Sequence, residues 1–268
     1  NKICYNYNMK INLIYNKYIN NYSETLDKVV EILNAKNINY TIQEMENISN
    51  QGDFVLVIGG DGTFLRIAKF YSKYSIPVLG INQGRLGFLA QAGVKNLEQL
   101  INAIIHKDFY TEKRLMLKSE NELALNDFVI KGCDSYRASK FYLEINGECV
   151  CKYIADGLII STPTGSTAYG LSAGGPVVYP TLEAISIVPI CPHTLNARPL
   201  IVPSDEKILI KTADKNLSLS ADGYCTKECK DEILIEKSEI KANLAFIDKY
   251  KFYSVLRDKM HWGIAPEK

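Results

Sequence analysis

The sequence predicts a parallel α/β domain at the N-terminus, followed by an all-β domain of the antiparallel, sandwich-like kind. Residues 1–112 alternate short apolar runs with segments of helical periodicity, which is typical of a parallel sheet covered by helices. Residues 113–242 instead offer short β-rich pieces separated by Gly, Pro, Asn and Asp. In the tail, residues 243–268, helical periodicity returns from Phe246 onward, and we expect this tail to complete the first domain.

The elements of the first domain follow from the spacing of its apolar residues. Residues 53–58 (DFVLVI) form a nearly all-apolar run, which indicates a strand buried on both faces. Ser23 is placed to cap a helix whose apolar residues recur at helical spacing. The predicted strands are 9–15, 53–58 and 76–81, and the predicted helices are 23–36, 63–74 and 96–106. Strand, helix and strand in this order predict parallel pairing.

Seven pieces of the second domain have the β-branched and alternating character of strands. They are LMLKSE (115–120), LALNDFVI (123–130), FYLEIN (141–146), GLIIST (157–162), KILIKT (207–212), LSLSA (217–221) and DEILIE (231–236). The turn signals between them come at close intervals, which favours antiparallel neighbours.

Composition and charge exclude several classes of protein. The formal net charge is +1, from 31 basic and 30 acidic residues, so there is no basic excess to indicate a nucleic-acid or membrane-surface partner. No apolar run approaches the ~18 residues that span a bilayer. The N-terminal residues lack the pattern of a signal peptide, so we expect a cytoplasmic protein.

The seven cysteines fit neither a disulfide framework nor a zinc site. Their number is odd, and the two close pairs, Cys149 with Cys151 and Cys225 with Cys229, lack CxxC spacing and nearby histidines. We expect reduced thiols that pack as small apolar residues. The sequence predicts no metal ligated by the protein itself.

A glycine-rich turn joins the buried strand 53–58 to the next helix. It consists of Gly59, Gly60, Asp61 and Gly62. Glycines let the backbone approach a ligand closely, and a helix N-terminus presents free N–H groups to an anion. The turn therefore predicts a phosphate cradle that contains one carboxylate; the alternative is a tight turn in which Asp61 caps the helix. Neither a P-loop nor a GxGxxG fingerprint is present.

A second motif covers residues 156–176 (DGLIISTPTGSTAYGLSAGGP). Small residues permit close backbone approach, hydroxyls supply short hydrogen bonds, and Tyr169 can stack on a base. Such a composition also occurs in surface loops. A segment so poor in charge between apolar runs nevertheless favours the wall of a pocket.

The chain resembles the bacterial NAD kinases over most of its length. The motifs that carry the resemblance are, in chain order, GGDGTFLR, GINQGRLGFL, ALNDFVI, the block 156–176, PICPHTLNARPL and LRDKMHWG. The GGDG tetrad alone is shared with diacylglycerol kinases, sphingosine kinases and phosphofructokinases, whereas the 156–176 block is specific. The resemblance implies transfer of the γ-phosphate of ATP to the 2′-hydroxyl of the adenosine ribose of NAD, giving NADP and ADP. It also implies Mg²⁺ carried by ATP and a homodimer or homotetramer.

Site residues follow from the resemblance position by position. Asp61 would contact the 2′-hydroxyl and act as general base, and Asp156 would bind the nicotinamide carboxamide. The residues along the ATP phosphates would be Gly59, Gly60, Gly62 and Thr63. The other NAD contacts would be Gly62, Arg66, Asn126, Asp127, Arg137, Thr167, Ala168, Tyr169, Gly170, Leu171, Ser172 and Tyr224.

Two positions depart from the family pattern. Asp127 stands where Glu is usual, which keeps the charge and shortens the side chain. Ile154 stands where the family often has Arg, and Lys152, on the same face of the strand, is the candidate substitute. Its alternative role is that of a solvated lysine at a strand edge.

Two other functions stay open from the sequence: a lipid kinase of the same superfamily, and a non-catalytic dinucleotide-binding regulator. A lipid kinase would need an apolar acceptor pocket rather than the hydroxyl-rich wall that residues 161–172 are expected to form. A regulator would be expected to have lost Asp61. The preference for NAD or NADH, and for ATP or polyphosphate as donor, also stays open.

Overall fold

The structure, a computed structural model, describes residues 9–83, 87–90, 92–132, 137–194, 196–228, 230–248 and 252–263. The chain divides into two compact units, one of Asn1–Lys113 with Asn243–Lys268 and the other of Arg114–Ala242. The sequence predicts two separate domains with boundaries after residues 112 and 242. That division into domains stays a prediction.

Five helices lie within the described residues: α1 (Tyr22–Ala35), α2 (Asp61–Ser72), α3 (Leu97–His106), α4 (Tyr169–Ser172) and α5 (Phe252–Met260). The strands of the described residues are, in the first half of the chain, β1 (Lys10–Tyr15), β2 (Asn39–Glu44), β3 (Phe54–Ile58), β4 (Val78–Asn82), β5 (Ala92–Gly93), β6 (Tyr110–Arg114), β7 (Leu117–Ser119), β8 (Glu122–Ala124) and β9 (Asp127–Gly132). They continue with β10 (Ser139–Ile145), β11 (Glu148–Ala155), β12 (Gly157–Ser161), β13 (Ala184–Ile190), β14 (Leu200–Pro203), β15 (Ile208–Lys211), β16 (Leu217–Ala221), β17 (Tyr224–Glu228), β18 (Glu232–Lys237) and β19 (Ala242–Phe246).

The first unit is built on a sheet in the order β2-β1-β3-β4-β19-β6, with β5 beside β4. The pairs β1–β2, β1–β3, β3–β4 and β4–β19 are parallel. Every residue of β3 is buried, as a strand with both faces covered must be. Apolar residues of α1 and α3, such as Val29 and Ile101, join one core with Leu56 of β3, while α2 packs on β3 and β4. The predicted parallel α/β architecture is confirmed.

Three details of this unit differ from the sequence-based expectations. Helix α1 begins one residue before Ser23, after Asn21 in the left-handed region (φ 61°), and it has no side-chain cap. Helix α2 begins at Asp61 itself rather than after the turn. The tail contributes a buried strand, β19, as well as the helix α5, because the run ANLAF is apolar enough to sit beside β4.

The second unit contains two antiparallel sheets, each six-stranded within the described residues. Their orders are β11-β10-β15-β18-β7-β8 and β14-β13-β12-β9-β16-β17. Alternate residues of both sheets, for example Phe141 and Leu143 in β10 or Phe128 and Ile130 in β9, share one apolar core. This arrangement confirms the predicted all-β, sandwich-like class. Strand β11 lies outside the seven predicted pieces because, at the edge of its sheet, it carries mostly exposed or half-buried residues.

Strand β12 differs from its neighbours because all its residues are buried. One face contributes Leu158 and Ile160 to the core between the sheets. On the other face, Ile159 packs with Val188 of β13 and with Ala173, which directly follows α4. This second layer fixes the segment after β12, which carries the 156–176 motif, against the sheet. In the described part of the chain, no helix is both long and apolar enough to cross a membrane.

Candidate functional site

Three parallel strands of the first unit end at the same edge of the sheet. The register pairs Tyr15 with Ile58 and Ile58 with Ile81, so the residues after these strands are neighbours. The N–H of Asn16 donates to the Ile58 carbonyl (3.3 Å), and the N–H of Gly59 donates to the Ile81 carbonyl (3.0 Å). Ligands of open α/β sheets bind at this edge.

The glycine turn lies at this edge with one packed side and one open side. A Cβ at Gly59 would come within 2.7 Å of Thr63 Cβ, so this glycine is required by packing. A Cβ at Gly60 or Gly62 would meet nothing within 4 Å, so these two glycines leave open space instead. The buried Thr63 hydroxyl accepts a hydrogen bond from the Asn16 side-chain amide (2.8 Å). Asn16 follows the first strand and is not among the site residues predicted from the sequence.

The Asp61 carboxylate is fully occupied by hydrogen-bond donors. Its Oδ2 accepts from the Phe88 N–H (2.9 Å) and lies 2.9 Å from Lys259 Nζ on α5. Its Oδ1 accepts from the N–H groups of Leu89 and Ala90, both at 3.1 Å. The residue at the cap position of α2 is Gly60, and Asp61 is the first residue of the helix itself. The alternative prediction, that Asp61 caps the helix, is therefore wrong. The carboxylate instead accepts hydrogen bonds from the N–H groups of residues 88–90.

These donors determine the charge of Asp61. Burial raises the pKa of Asp61, but the Lys259 hydrogen bond and charge and the N–H groups of Ala90 and Leu89 outweigh it, so the pKa lies below its ordinary value. Its position in the first turn of α2 favours the same charged form. The carboxylate is therefore ionised at neutral pH.

Gly87 makes this approach possible. A Cβ at Gly87 would lie only 2.1 Å from Asp61 Oδ1, so no other residue fits without a shift of the carboxylate or of the backbone. The N–H of Gly87 donates to the Ala90 carbonyl (3.2 Å), which closes a turn around the three N–H donors. Arg66 lies five residues beyond Asp61 on α2, partly buried, and it has no hydrogen bond or ion pair with any described residue.

In the second unit, Asp222 organises the start of β9. Its carboxylate accepts the N–H groups of Leu125 (3.0 Å), Asn126 (2.7 Å) and Asp127 (3.3 Å). Its own N–H donates to the Asp127 carbonyl (2.9 Å). We call Asn126, Asp127 and Asp222 the Asp127 cluster. Tyr224, two residues beyond Asp222, begins β17 with its side chain exposed.

The Asp127 carboxylate has the opposite environment to that of Asp61. Asp127 is only 4% exposed, and its carboxylate receives no hydrogen bond from any described residue. Burial and the nearby charge of Asp222 raise the pKa of Asp127 to about 7. The Asn126 side chain also lacks a hydrogen-bond partner among the described residues. Such groups are ready to bind a polar ligand, because a buried polar group without a partner is costly.

The segment after β12 reaches the same cluster. Ser161 Oγ donates to the Asn126 carbonyl (3.2 Å), and the Thr162 N–H donates to the same oxygen (2.8 Å). A Cβ at Gly165 would lie 2.2 Å from that carbonyl oxygen, so only glycine fits. Residues 167–172 follow directly, with Thr167, Ala168 and Leu171 partly exposed, Tyr169 and Ser172 exposed and Gly170 buried.

The hydroxyl-rich wall is shorter than the composition indicates. The hydroxyls of Ser161, Thr162 and Ser166 donate to backbone carbonyls of the protein. They hold the turn together. The side chains left for a ligand are those from Thr167 onward, and the ring of Tyr169, 39% exposed, makes no ring contact within the described residues.

Two predicted site residues lie elsewhere in this unit. Asp156 directly precedes β12, so five residue steps along an extended strand separate it from Ser161, about 16 Å at ~3.3 Å per residue. Its carboxylate is 3.8 Å from His193 Nε2, and His193 is not among the site residues predicted from the sequence. Arg137 is exposed and lies two residues before Ser139, which pairs with Ala155 beside Asp156.

The positions around Ile154 belong to the same end of β12. The His193 N–H donates to the Ile154 carbonyl (2.8 Å). Lys152 is exposed, with its Nζ 5.2 Å from the centroid of the Tyr142 ring. The suggested role of Lys152 in place of the family arginine stays a prediction.

Comparisons with known proteins agree with this assembly of motifs. Residues 7–109 match the ATP-NAD kinase N-terminal domain family and residues 125–247 match the ATP-NAD kinase C-terminal domain family. The chain is similar to the NAD kinase of Wigglesworthia glossinidia brevipalpis (40% identity, covering 94% of this chain and 90% of the relative). It is also similar to the NAD kinase of Aquifex aeolicus (36% identity, covering 90% and 94%).

Solved structures give the same result. The structure resembles an NAD kinase from Archaeoglobus fulgidus in complex with ATP, with a TM-score of 0.81, 29% identity and coverage of 95% of this chain and 100% of that chain. It shares its fold with yeast NADH kinase complexed with NADH, with a TM-score of 0.85, 24% identity and coverage of 96% and 89%. The chain therefore belongs to the ATP-NAD kinase family.

Proposed function

We propose that this chain transfers the γ-phosphate of ATP to the 2′-hydroxyl of the adenosine ribose of NAD, giving NADP and ADP. The observation that carries this proposal is the ionised Asp61 carboxylate in the glycine turn, at the edge of the sheet where ligands of α/β folds bind. A ribose hydroxyl is a poor nucleophile at neutral pH, so a carboxylate at the transfer point supplies what the reaction lacks.

The glycine turn would hold the phosphates of ATP. Gly60 and Gly62 leave open space beside the backbone, and the first N–H groups of α2 have no partner within the helix. Gly59 and Thr63 fix the shape of the turn through their packing and through the bond from Asn16. Mg²⁺ enters with ATP as part of the substrate and neutralises charge on the transferring group.

Asp61 would act as the general base. It accepts the proton of the 2′-hydroxyl while the hydroxyl oxygen bonds to the γ-phosphorus and the bond from that phosphorus to ADP breaks. Proton acceptance needs an available oxygen, and a carboxylate has about four lone-pair positions. Four donors occupy Asp61 in this structure, so one of them has to leave before the hydroxyl binds.

The Asp127 cluster and residues 167–172 would bind NAD. The free side chains of Asn126 and Asp127 suit ribose hydroxyls, which donate to an ionised carboxylate and accept from an amide. Thr167, Ala168, Gly170, Leu171 and Ser172 would line the adenosine, and Tyr169 would stack on a base. Arg66 and Tyr224 would add peripheral polar contacts.

Asp156 and Arg137 would complete the nicotinamide side. Both lie at the far end of β12 from Asn126. An extended dinucleotide can span this separation, and the homodimer or homotetramer stays an expectation from the family resemblance. Sedimentation of the purified chain tests this expectation, and a monomer at assay concentration would contradict it.

An acceptor and donor survey tests the proposed function. The purified chain is incubated with MgATP and NAD, NADH or a diacylglycerol, and then with NAD and polyphosphate in place of ATP. We expect a phosphorylated dinucleotide that depends on Asp61, and no phosphorylated lipid. Lipid phosphorylation would establish the lipid-kinase alternative, and NAD binding without turnover would establish the non-catalytic regulator; the family assignment favours neither.

A further inference from the structure

Lys259 is the one side chain among the four donors to Asp61. The other three are backbone N–H groups of residues 88–90, held in a turn that the bond from Gly87 to Ala90 closes. The Lys259 side chain is 38% exposed, and that of Asp61 is 30% exposed. An ion pair so accessible to water contributes little net free energy. Lys259 is therefore the donor that leaves Asp61 most readily.

A second contact keeps the Lys259 ammonium group nearby after it leaves Asp61. Its Nζ lies 4.9 Å from the centroid of the Phe88 ring, within the range of a cation–π interaction. The ring belongs to the segment that also donates to Asp61. The Lys259 ammonium group can thus leave the Asp61 carboxylate and stay in contact with the Phe88 ring and solvent, without rearrangement of α5.

We propose that Lys259 donates to the same oxygen of Asp61 to which the substrate's ribose hydroxyl donates, and that the hydroxyl displaces Lys259 when NAD binds. The inference rests on the proposed function, because it takes the 2′-hydroxyl as the group that approaches Asp61. In the free protein Lys259 completes the coordination of the carboxylate. In the complex the hydroxyl replaces it, and Asp61 faces the proton that it will accept.

Displacement has a measurable consequence for affinity. Because NAD competes with Lys259 for one position, the free protein is only partly in the binding-competent arrangement, which weakens the apparent affinity by that fraction. Replacement of Lys259 by Met removes the competitor and keeps the length of the side chain. We expect NAD to bind about two- to fivefold more tightly, the factor that corresponds to an exposed ion pair.

The test is calorimetric titration without ATP of the full chain and three variants: Lys259→Met, Lys259→Arg and Arg257→Met. Arg257 is exposed on the same helix and makes no contact with Asp61, so it is the matched control. Each protein is titrated with NAD and with the NAD analogue that lacks the adenosine 2′-hydroxyl. We expect the gain only for Lys259→Met and only with NAD, while Lys259→Arg binds like the parent.

Three results would overturn the inference. Unchanged or weaker NAD affinity in Lys259→Met would show that the hydroxyl does not displace Lys259. An equal gain for NAD and the analogue would show that the hydroxyl is not the competing group. If the parent fails to bind NAD, the proposed function fails together with the inference; if the parent binds and phosphorylates NAD but the affinity of Lys259→Met is unchanged, only the inference fails.

Discussion

Two carboxylates of the same residue type have opposite environments in the two units of this chain. Asp61 receives four donors, and its pKa lies below the ordinary value. Asp127 is more deeply buried, receives none from the described residues, and has a pKa raised to about 7. The first is held ionised in a fixed position, while the second keeps its binding capacity for a ligand.

The difference shows how environment assigns roles to chemically equal groups. Donors that hold Asp61 in place also weaken it as a base, because the proton affinity of a carboxylate falls with its pKa. Asp127 carries the reverse compromise, since its ionised form suits a hydroxyl donor but is costly to bury. Each of the following variants changes one side of this comparison.

The largest effect is expected from Asp61→Asn. The amide cannot take a proton, so turnover should fall by about 10²–10⁴, far more than the NAD affinity. Its NH2 group replaces one oxygen that accepts two of the four donors, so some stability is lost as well. Steady-state kinetics and calorimetry measure turnover and NAD affinity separately. Equal turnover in the variant and the parent would remove Asp61 from the chemistry.

Gly87→Ala tests whether the position of Asp61 matters as much as its presence. The new methyl group would overlap Asp61 Oδ1, so the carboxylate must shift. A misplacement of about 1 Å lowers turnover by about 10². Gly93→Ala is the matched control, because its Cβ meets nothing within 4 Å and its φ of −95° suits alanine. The account would be contradicted by similar kinetics in the two variants.

Asp127→Asn should stabilise the protein in a pH-dependent way. With its pKa raised to about 7, the folded state binds more protons than the unfolded state between about pH 4 and 7, so stability falls as pH rises through this window. Removing the ionisable group should therefore raise the free energy of unfolding by about 2–4 kcal/mol at pH 8 and by almost nothing near pH 4. Urea unfolding at both pH values measures this difference in the free energy of unfolding between the variant and the parent. The same difference at both pH values would contradict the raised pKa of Asp127.

Asn126→Ala gives the smallest expected effect. Loss of the side-chain amide should weaken NAD binding by about 1–3 kcal/mol, because a hydroxyl buried against it then lacks a partner. The backbone bonds to Asp222 remain, so stability should change little. Unchanged NAD affinity by calorimetry would place the ribose elsewhere.

The sequence predicts those features that depend on neighbours along the chain. The buried run of β3, the glycine turn and the start of a helix are local, and so are the period-two patterns of the second unit. The partners of Asp61 are 27–198 residues away, and those of Asp222 are 95–97 residues away, so no local pattern reveals them. Composition likewise cannot show that the hydroxyls of Ser161 and Thr162 donate to backbone carbonyls and are therefore not available to a ligand.

Two of the missed residues did leave a signal in the sequence. Asn16 follows the first strand of a parallel sheet, where ligand-facing residues are expected. Lys259 lies within the quoted motif LRDKMHWG. Neither signal names a partner, and only the tertiary structure places Asn16 beside Thr63 and Lys259 beside Asp61.

An NMR titration of the free protein with aspartate labelled at Cγ tests the contrast between the two carboxylates most directly. Spectra are recorded from acidic to mildly basic pH, and Asp61→Asn and Asp127→Asn assign the two signals. We predict that Asp61 titrates below the ordinary aspartate value of about 4 and Asp127 near 7. Two carboxylates that titrate together near the ordinary value, or in the reverse order, would contradict the account.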